Sequence, residues 1–215
     1  LEAVRDAAAR AGLADYAEAP VATEAPATTA AGSSGDDSSE ESSGESTTDD
    51  GVREVPGEYD TIQAAVDAAA EGDLVLIAPG VYHEAVDVTT NNLTIRGLDR
   101  DGVVLDGRLE LDNGIRVLGA SGVAVENLTA QNYTANCVFI TGATGYRASY
   151  ITTYRTGDYG IYAFDSVTGQ IDNSHTVGSK DAGVYIGQCF PCDAVIDNVI
   201  SEHNGLGYSG TNSGD

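Results

Sequence analysis

"GIRVLGASGVAVENLTAQNYTAN" (residues 114–136), "CVFITGATGYRASYITTYRTGDY" (137–159), "GIYAFDSVTGQIDNSHTVGSKDA" (160–182) and "GVYIGQCFPCDAVIDNVISEHNG" (183–205) follow one another as units of 23 residues. A fifth unit begins at Leu206 and is expected to be cut short at Asp215. Each unit holds two or three short alternating stretches separated by Gly, Asn, Asp or Ser. That is too short for a pair of helices and too rich in turns for a leucine-rich horseshoe. One turn of a parallel β-helix fits the length. Positions 2 and 4 of the units read Ile115/Val117, Val138/Ile140, Ile161/Ala163 and Val184/Ile186, and are predicted to face inward and stack from turn to turn. Position 3 must then face outward. It reads Arg116, Phe139, Tyr162, Tyr185 and Tyr208, which predicts an exposed column of aromatic rings.

Upstream of the repeat, Ile62, Ala65, Val66 and Ala69 form a narrow apolar stripe, Asp60 and Gln63 have the spacing of a capping pair, and Gly72 is a stop signal. The pattern predicts a helix over Thr61–Glu71 that plugs the N-terminal end of the coil. Without a plug, the first turn would expose its apolar interior and unpaired backbone edges. "DLVLIAPG" and "NLTIRG" are then the first strands beneath it.

The first fifty residues differ in kind. Residues 1–20 are helix-prone but short and Ala-rich, with no readable role. Residues 21–51 are small, polar and acidic, and between Ala11 and Asp50 there is no Lys or Arg. Such a segment buries too little apolar surface to offset its ordering entropy, so it is predicted to be a disordered acidic linker ahead of a folded domain at 52–215.

The net charge is −24 and the only lysine is Lys180. Nucleic-acid binding, which needs clustered Lys and Arg to neutralise phosphates, is excluded on that ground. No apolar run approaches a membrane span and no signal peptide is visible. An acidic Ser/Thr tether before a β-rich domain favours an extracytoplasmic location, whether secreted, periplasmic or tethered to the envelope.

The stretch "TIQAAVDAAAEGDLVLIAPGVYHEAVDVTTNNLTIRGLDRDGVVLDG" (61–107), with the turns that follow, resembles the pectin lyase-like superfamily of right-handed parallel β-helix proteins. Within it, the chain looks like the uncharacterised secreted β-helix repeat proteins. The resemblance runs from about Val52 to the end of the chain. It implies an all-β, right-handed parallel β-helix solenoid with an N-terminal capping helix. It does not fix an activity, because the same opening occurs in pectinesterases, polysaccharide lyases, glycoside hydrolases and copper-site accessory proteins resembling the NosD family. The catalytic Gln, paired Asp and Arg motifs of pectinesterases have no matching positions here. The polygalacturonase pattern is missing too, and "QIDNSH" (170–175) matches the Asp-His segment of pectate lyases only loosely.

Four sets of residues carry chemistry. Phe139, Tyr162, Tyr185 and Tyr208 repeat at the spacing of successive turns, about 4.8 Å, and would either bind sugar rings or form a stabilising ladder. Asp158 and Asp181 share position 22, one turn apart. At about 5 Å their carboxylates would suit a retaining glycosidase pair or a cation such as Ca2+. They would equally serve as turn residues that accept backbone hydrogen bonds. Arg155 and Lys180 stand beside them as ligand contacts. Cys189 and Cys192 in "QCFPC" are predicted to form a local disulfide outside the cell, and Cys137 to be a small buried side chain. His83, His175 and His203 fall at different points of the repeat and give no ligand cluster, and no cofactor is evident. The expectation is an extracytoplasmic β-helix that binds, and as an enzyme would process, a polysaccharide or cell-envelope glycan. A non-catalytic structural or accessory module, including a NosD-like role in metal-site maturation, is the alternative.

Overall fold

A computed structural model describes residues 49–214. The predicted helix-prone segment at 1–20 and almost all of the linker at 21–51 lie outside the described residues. The chain runs β1 (Val52–Val55), α1 (Ile62–Ala68), β2 (Leu74–Ile77), β3 (Gly80–Tyr82), β4 (Val86–Val88), β5 (Thr94–Gly97), β6 (Val103–Asp106), β7 (Asn113–Leu118) and β8 (Ala124–Gln131). It continues through β9 (Asn136–Thr141), β10 (Arg147–Tyr154), β11 (Ile161–Phe164), β12 (Gln170–Asp172), β13 (His175–Val177), β14 (Ala182–Gly187), β15 (Val195–Asp197), β16 (Ile200–Glu202) and β17 (Leu206–Ser209).

Neighbouring strands in space come from successive turns of the chain and all pair in parallel, so the molecule is a parallel β-solenoid. One sheet runs β1-β2-β5-β8-β10-β12-β15, with β3, β6, β13 and β16 attached to it, and the other runs β4-β7-β9-β11-β14-β17. The 23-residue period is the hydrogen-bond register: Ala124, Arg147 and Gln170 are partners in the first sheet, as are Ile115, Val138, Ile161 and Val184 in the second. Those four inward residues are at most 1 % exposed and belong to one continuous core. An aliphatic side chain that meets its equivalent above and below loses its apolar surface to water on every turn, which is why positions 2 and 4 select Val and Ile.

The larger sheet bends along a line of left-handed residues, Asn127, Tyr150, Asn173 and Asn198, with φ between 48° and 56°. Asn tolerates this conformation better than most residues. Its side chain also ties the turns together: Asn127 Nδ2 donates to Gly97 O at 2.7 Å, and Asn198 Nδ2 to Asn173 Oδ1 at 2.7 Å. The bend divides each long stretch into two faces, so that a turn of the solenoid has three sides.

Helix α1 packs against β1, β2 and β4, the strands with which both sheets begin, and buries Ile62, Ala65 and Val66. Its start differs from the expected Asp60–Gln63 pair. Thr61 is the N-cap, its Oγ1 accepting from Ala64 N at 3.1 Å, while Glu84 accepts from Ile62 N at 3.1 Å and Gln63 N at 3.0 Å. A carboxylate from the connection between β3 and β4 thus satisfies free amides of the first turn. Gln63 is engaged elsewhere, donating to Asp67 and Asp87 O and accepting from Asp87 N. The helix also ends earlier than Glu71, because Asp73 Oδ2 accepts from Ala70 N at 2.8 Å and draws the backbone out of the spiral.

Candidate functional site

The outward column is in register for Arg116, Phe139, Tyr162 and Tyr185. Tyr208 does not belong to it. Its partner is the inward Val184, and Tyr185 pairs with Ser209 instead. The turn holding Cys189 and Cys192 lengthens the spacing to 25 residues between Gln170 and Val195, and the next turn returns only one of the two extra residues. Tyr208 therefore lines a cavity of about 270 Å3 at the last turn, with Ile186, Cys192, Ala194 and Ile196.

The remaining rings contact one another. Phe139 and Tyr162 stack with centroids 5.3 Å apart and planes at 15°. Tyr159, which the repeat pattern did not single out, stacks on Tyr162 at 4.6 Å and 7°, and Tyr185 meets Tyr162 at 4.6 Å and 51°. Tyr185 is only 5 % exposed, which corrects its expected exposure: the rings pack on one another as a ladder, one of the two arrangements the sequence left open, and its accessible parts belong to Phe139, Tyr162 and Tyr159. Burial pushes the Tyr159 and Tyr162 hydroxyls above the ordinary tyrosine range, and the hydrogen bond to Asp181 adds to the shift at Tyr159. Both are neutral donors at neutral pH.

The turns before β11 and β14 stack in register. Asp158 N donates to Ala135 O at 2.8 Å, Asp181 N to Asp158 O at 3.0 Å and Lys180 N to Thr156 O at 3.2 Å. This close approach needs a glycine at 157, since a Cβ there would run into Thr134 O. The stacking brings Asp158 and Asp181 to equivalent points of successive turns, both exposed, with Asp181 accepting from the Tyr159 hydroxyl at 2.9 Å. Among the described residues no group of three or more His, Cys, Asp or Glu side chains could hold a metal ion.

In the same turns, Arg155 and Lys180 line a cavity of about 300 Å3 with Leu109, Tyr133, Gly157 and Gly178. Both cations are exposed, and neither has an ion-pair partner among the described residues. Tyr133 is fully buried and is held by its hydroxyl, which donates to Glu84 O at 2.7 Å. The corner thus offers the exposed Leu109 over a fixed floor, two cations unpaired among the described residues and, a few residues along, two carboxylates and a ring edge.

A second cluster, centred on Asp172 of the "QIDNSH" stretch, lies on the outer face of the larger sheet. Arg96 Nε donates to Glu126 at 2.8 Å, Arg147 bridges Glu126 at 3.1 Å and Asp172 at 3.2 Å, and Ser149, Gln170 and Asn173 also donate to Asp172. Burial opposes the Asp172 charge, but bonds from Ser149, Arg147 and Asn173 outweigh it and hold the carboxyl below the usual range. With 2 % exposure Asp172 faces its own partners and offers little to a ligand.

Cys189 and Cys192 are joined by a disulfide. Cys137 is fully buried, and burial pushes its thiol up to about 12.

No family model and no curated protein matches the chain. Among solved structures it is similar to an alginate lyase from Paenibacillus sp. str. FPU-7, at 21 % identity and a TM-score of 0.57, over 71 % of this chain and 62 % of that one. The A-module of a mannuronan C-5 epimerase from Azotobacter vinelandii aligns at 18 % identity and a TM-score of 0.47, over 68 % and 53 % of the two chains. The chain therefore spans less than two thirds of the alginate lyase, with which it shares the β-helix fold.

Proposed function

We propose that this domain works outside the cytoplasm and binds an acidic polysaccharide along the corner formed by residues 155–159 and 178–181. The observation that carries this reading is the convergence of Arg155 and Lys180, unpaired among the described residues, on one cavity of a chain whose net charge is −24. In so acidic a protein, cations without partners attract an anionic ligand, and a repeat along the solenoid suits an extended one. Carboxylated sugars would place their charge at Arg155 and Lys180 and an apolar ring face over the exposed Leu109. The alginate lyase that shares the fold acts on an acidic polysaccharide, which supports the choice of ligand class. The disulfide of Cys189 and Cys192 supports an oxidising location.

Processing of the glycan is assigned to Asp158 and Asp181, the acids nearest in sequence to the cations. The hydrogen bond from Tyr159 to Asp181 favours the second reading, a binding module without turnover, because it gives that carboxylate a structural duty. Titration calorimetry with oligomers of a uronic acid and with neutral oligomers of equal length tests the ligand. Tighter binding of the acidic oligomers is expected, and equal or better binding of the neutral ones would sink the reading. Product analysis on the wild type and on Asp158→Asn/Asp181→Asn then separates enzyme from module: wild-type turnover that the double variant loses identifies an enzyme, and its absence from the wild type a module.

A further inference from the structure

The chain contains three Asn-x-Thr triplets, Asn92-Leu93-Thr94, Asn127-Leu128-Thr129 and Asn132-Tyr133-Thr134. This pattern is the acceptor for N-linked glycans in exported proteins. The fold treats the three differently. Asn127 Nδ2 is bound to Gly97 O at 2.7 Å and Thr129 Oγ1 to Arg100 O at 2.8 Å, so both groups that a transferase must read are occupied between turns of the solenoid. Asn132 Nδ2 is bound to Asp106 at 2.9 Å, and Thr134 Oγ1 to Asp112 at 2.7 Å. Both asparagines are partly buried.

Asn92 is exposed, in the turn between β4 and β5, with a left-handed φ of 55°. Its Oδ1 lies over Gly122, where a Cβ would collide with it, and its Nδ2 is directed to Glu71, an exposed side chain, at 2.6 Å. Thr94 Oγ1 has no hydrogen-bond partner among the described residues. We infer that Asn92 is an N-glycosylation site and that the folded chain withholds Asn127 and Asn132. The donor is an oligosaccharide carried on a lipid phosphate or pyrophosphate, presented by a membrane oligosaccharyltransferase. Asn92 Nδ2 forms the bond to C1 of the first sugar, the bond from C1 to the phosphate oxygen breaks, the lipid phosphate leaves with the electron pair, and the amide nitrogen gives one proton to a base of the transferase.

The modification leaves the proposed ligand site open. The turn holding Asn92 leads from the smaller sheet to the larger, whereas the turns of Arg155 and Lys180 lead from the larger sheet back to the smaller. The inference rests on export and not on the identity of the ligand, so it can fail while glycan binding stands.

Peptide mapping by mass spectrometry of the full chain recovered from its native source tests it. A glycan mass on the Asn92 peptide, lost in Asn92→Gln and Thr94→Ala and kept in Thr94→Ser, is the expected result, with Asn127 and Asn132 bare. Bare Asn92 in exported protein overturns the proposal, as does occupancy of Asn127 or Asn132. Recovery of the chain only from the cytoplasm overturns it through its premise.

Discussion

Two faces of the solenoid use charge in opposite ways. On the larger sheet Arg96, Glu126, Arg147 and Asp172 form a connected ladder over four turns, in which each charge meets an opposite one. At the corner before the smaller sheet, Arg155 and Lys180 come from successive turns to line one cavity and form no ion pair among the described residues. The first arrangement fixes register, since a slip of one residue would separate every pair and turn the charges inward. The second contributes little to register and keeps its charge for another molecule. Paired charges built on the buried carboxylates Glu126 and Asp172 mark structure here, and exposed cations unpaired among the described residues mark the candidate site.

The comparison predicts unequal responses to substitution. Asp172→Ala removes the acceptor of four side chains and is expected to lower stability by about 3 kcal/mol, seen as an early midpoint in urea unfolding. A change below about 0.5 kcal/mol would mean that the ladder is ornamental and that its pairing says nothing about function. The pH dependence sharpens the same point. Because the folded Asp172 carboxyl is held below its unfolded value of about 3.9, its contribution is present above that pH and is lost as the pH falls through the lower folded value. Asp172→Asn should flatten the acid limb of the stability profile in this window, as measured by unfolding at several pH values.

The ring column stands between the two extremes. Tyr162 contacts Phe139, Tyr159, Phe164 and Tyr185, so Tyr162→Ala is expected to cost about 2 kcal/mol in the same assay. Stability within about 0.5 kcal/mol of wild type would restore the open platform that the sequence predicts. The outcome also decides how a loss of binding in this variant is read: with destabilisation of the expected size, the ring acts on the ligand through the wall it supports.

The repeat was legible because the same physical demand recurs every 23 residues. Val and Ile at positions 2 and 4 meet their own kind, and the spacing of the strands does the rest. Two kinds of information were not periodic. Tyr208 left the column because a local insertion around Cys189 and Cys192 changed the register, which no counting of later positions reveals without knowing how many residues a turn absorbs. Tyr159 was missed because it comes at the end of its unit, and its role depends on a ring from the next strand turning back over it. The Asp172 cluster was hidden for a similar reason, since Arg147, Ser149 and Asp172 are brought together only by pairing across turns. Arg155 and Lys180 were readable as neighbours of the two aspartates, but the cavity they share is completed by Leu109, which precedes the first 23-residue unit, and by Tyr133, which the repeat pattern did not single out.

The smallest effect on the fold should come from that corner. Arg155 and Lys180 are exposed and form no ion pair among the described residues, so Arg155→Ala/Lys180→Ala is expected to shift stability by less than about 0.5 kcal/mol, a change that urea unfolding would barely register. Removing two positive charges from a protein that carries −24 also takes away the local attraction for an anion. Binding of a uronic-acid oligomer should fall at least tenfold, with the largest difference at low ionic strength, because screening weakens exposed charges beyond about 10 Å at 0.1 M salt. A double variant that folds like the wild type and still binds the acidic oligomer as tightly would locate the ligand elsewhere on the solenoid. A variant that unfolds would instead erase the contrast between the paired face and the unpaired corner, since the cations would then be part of the fold.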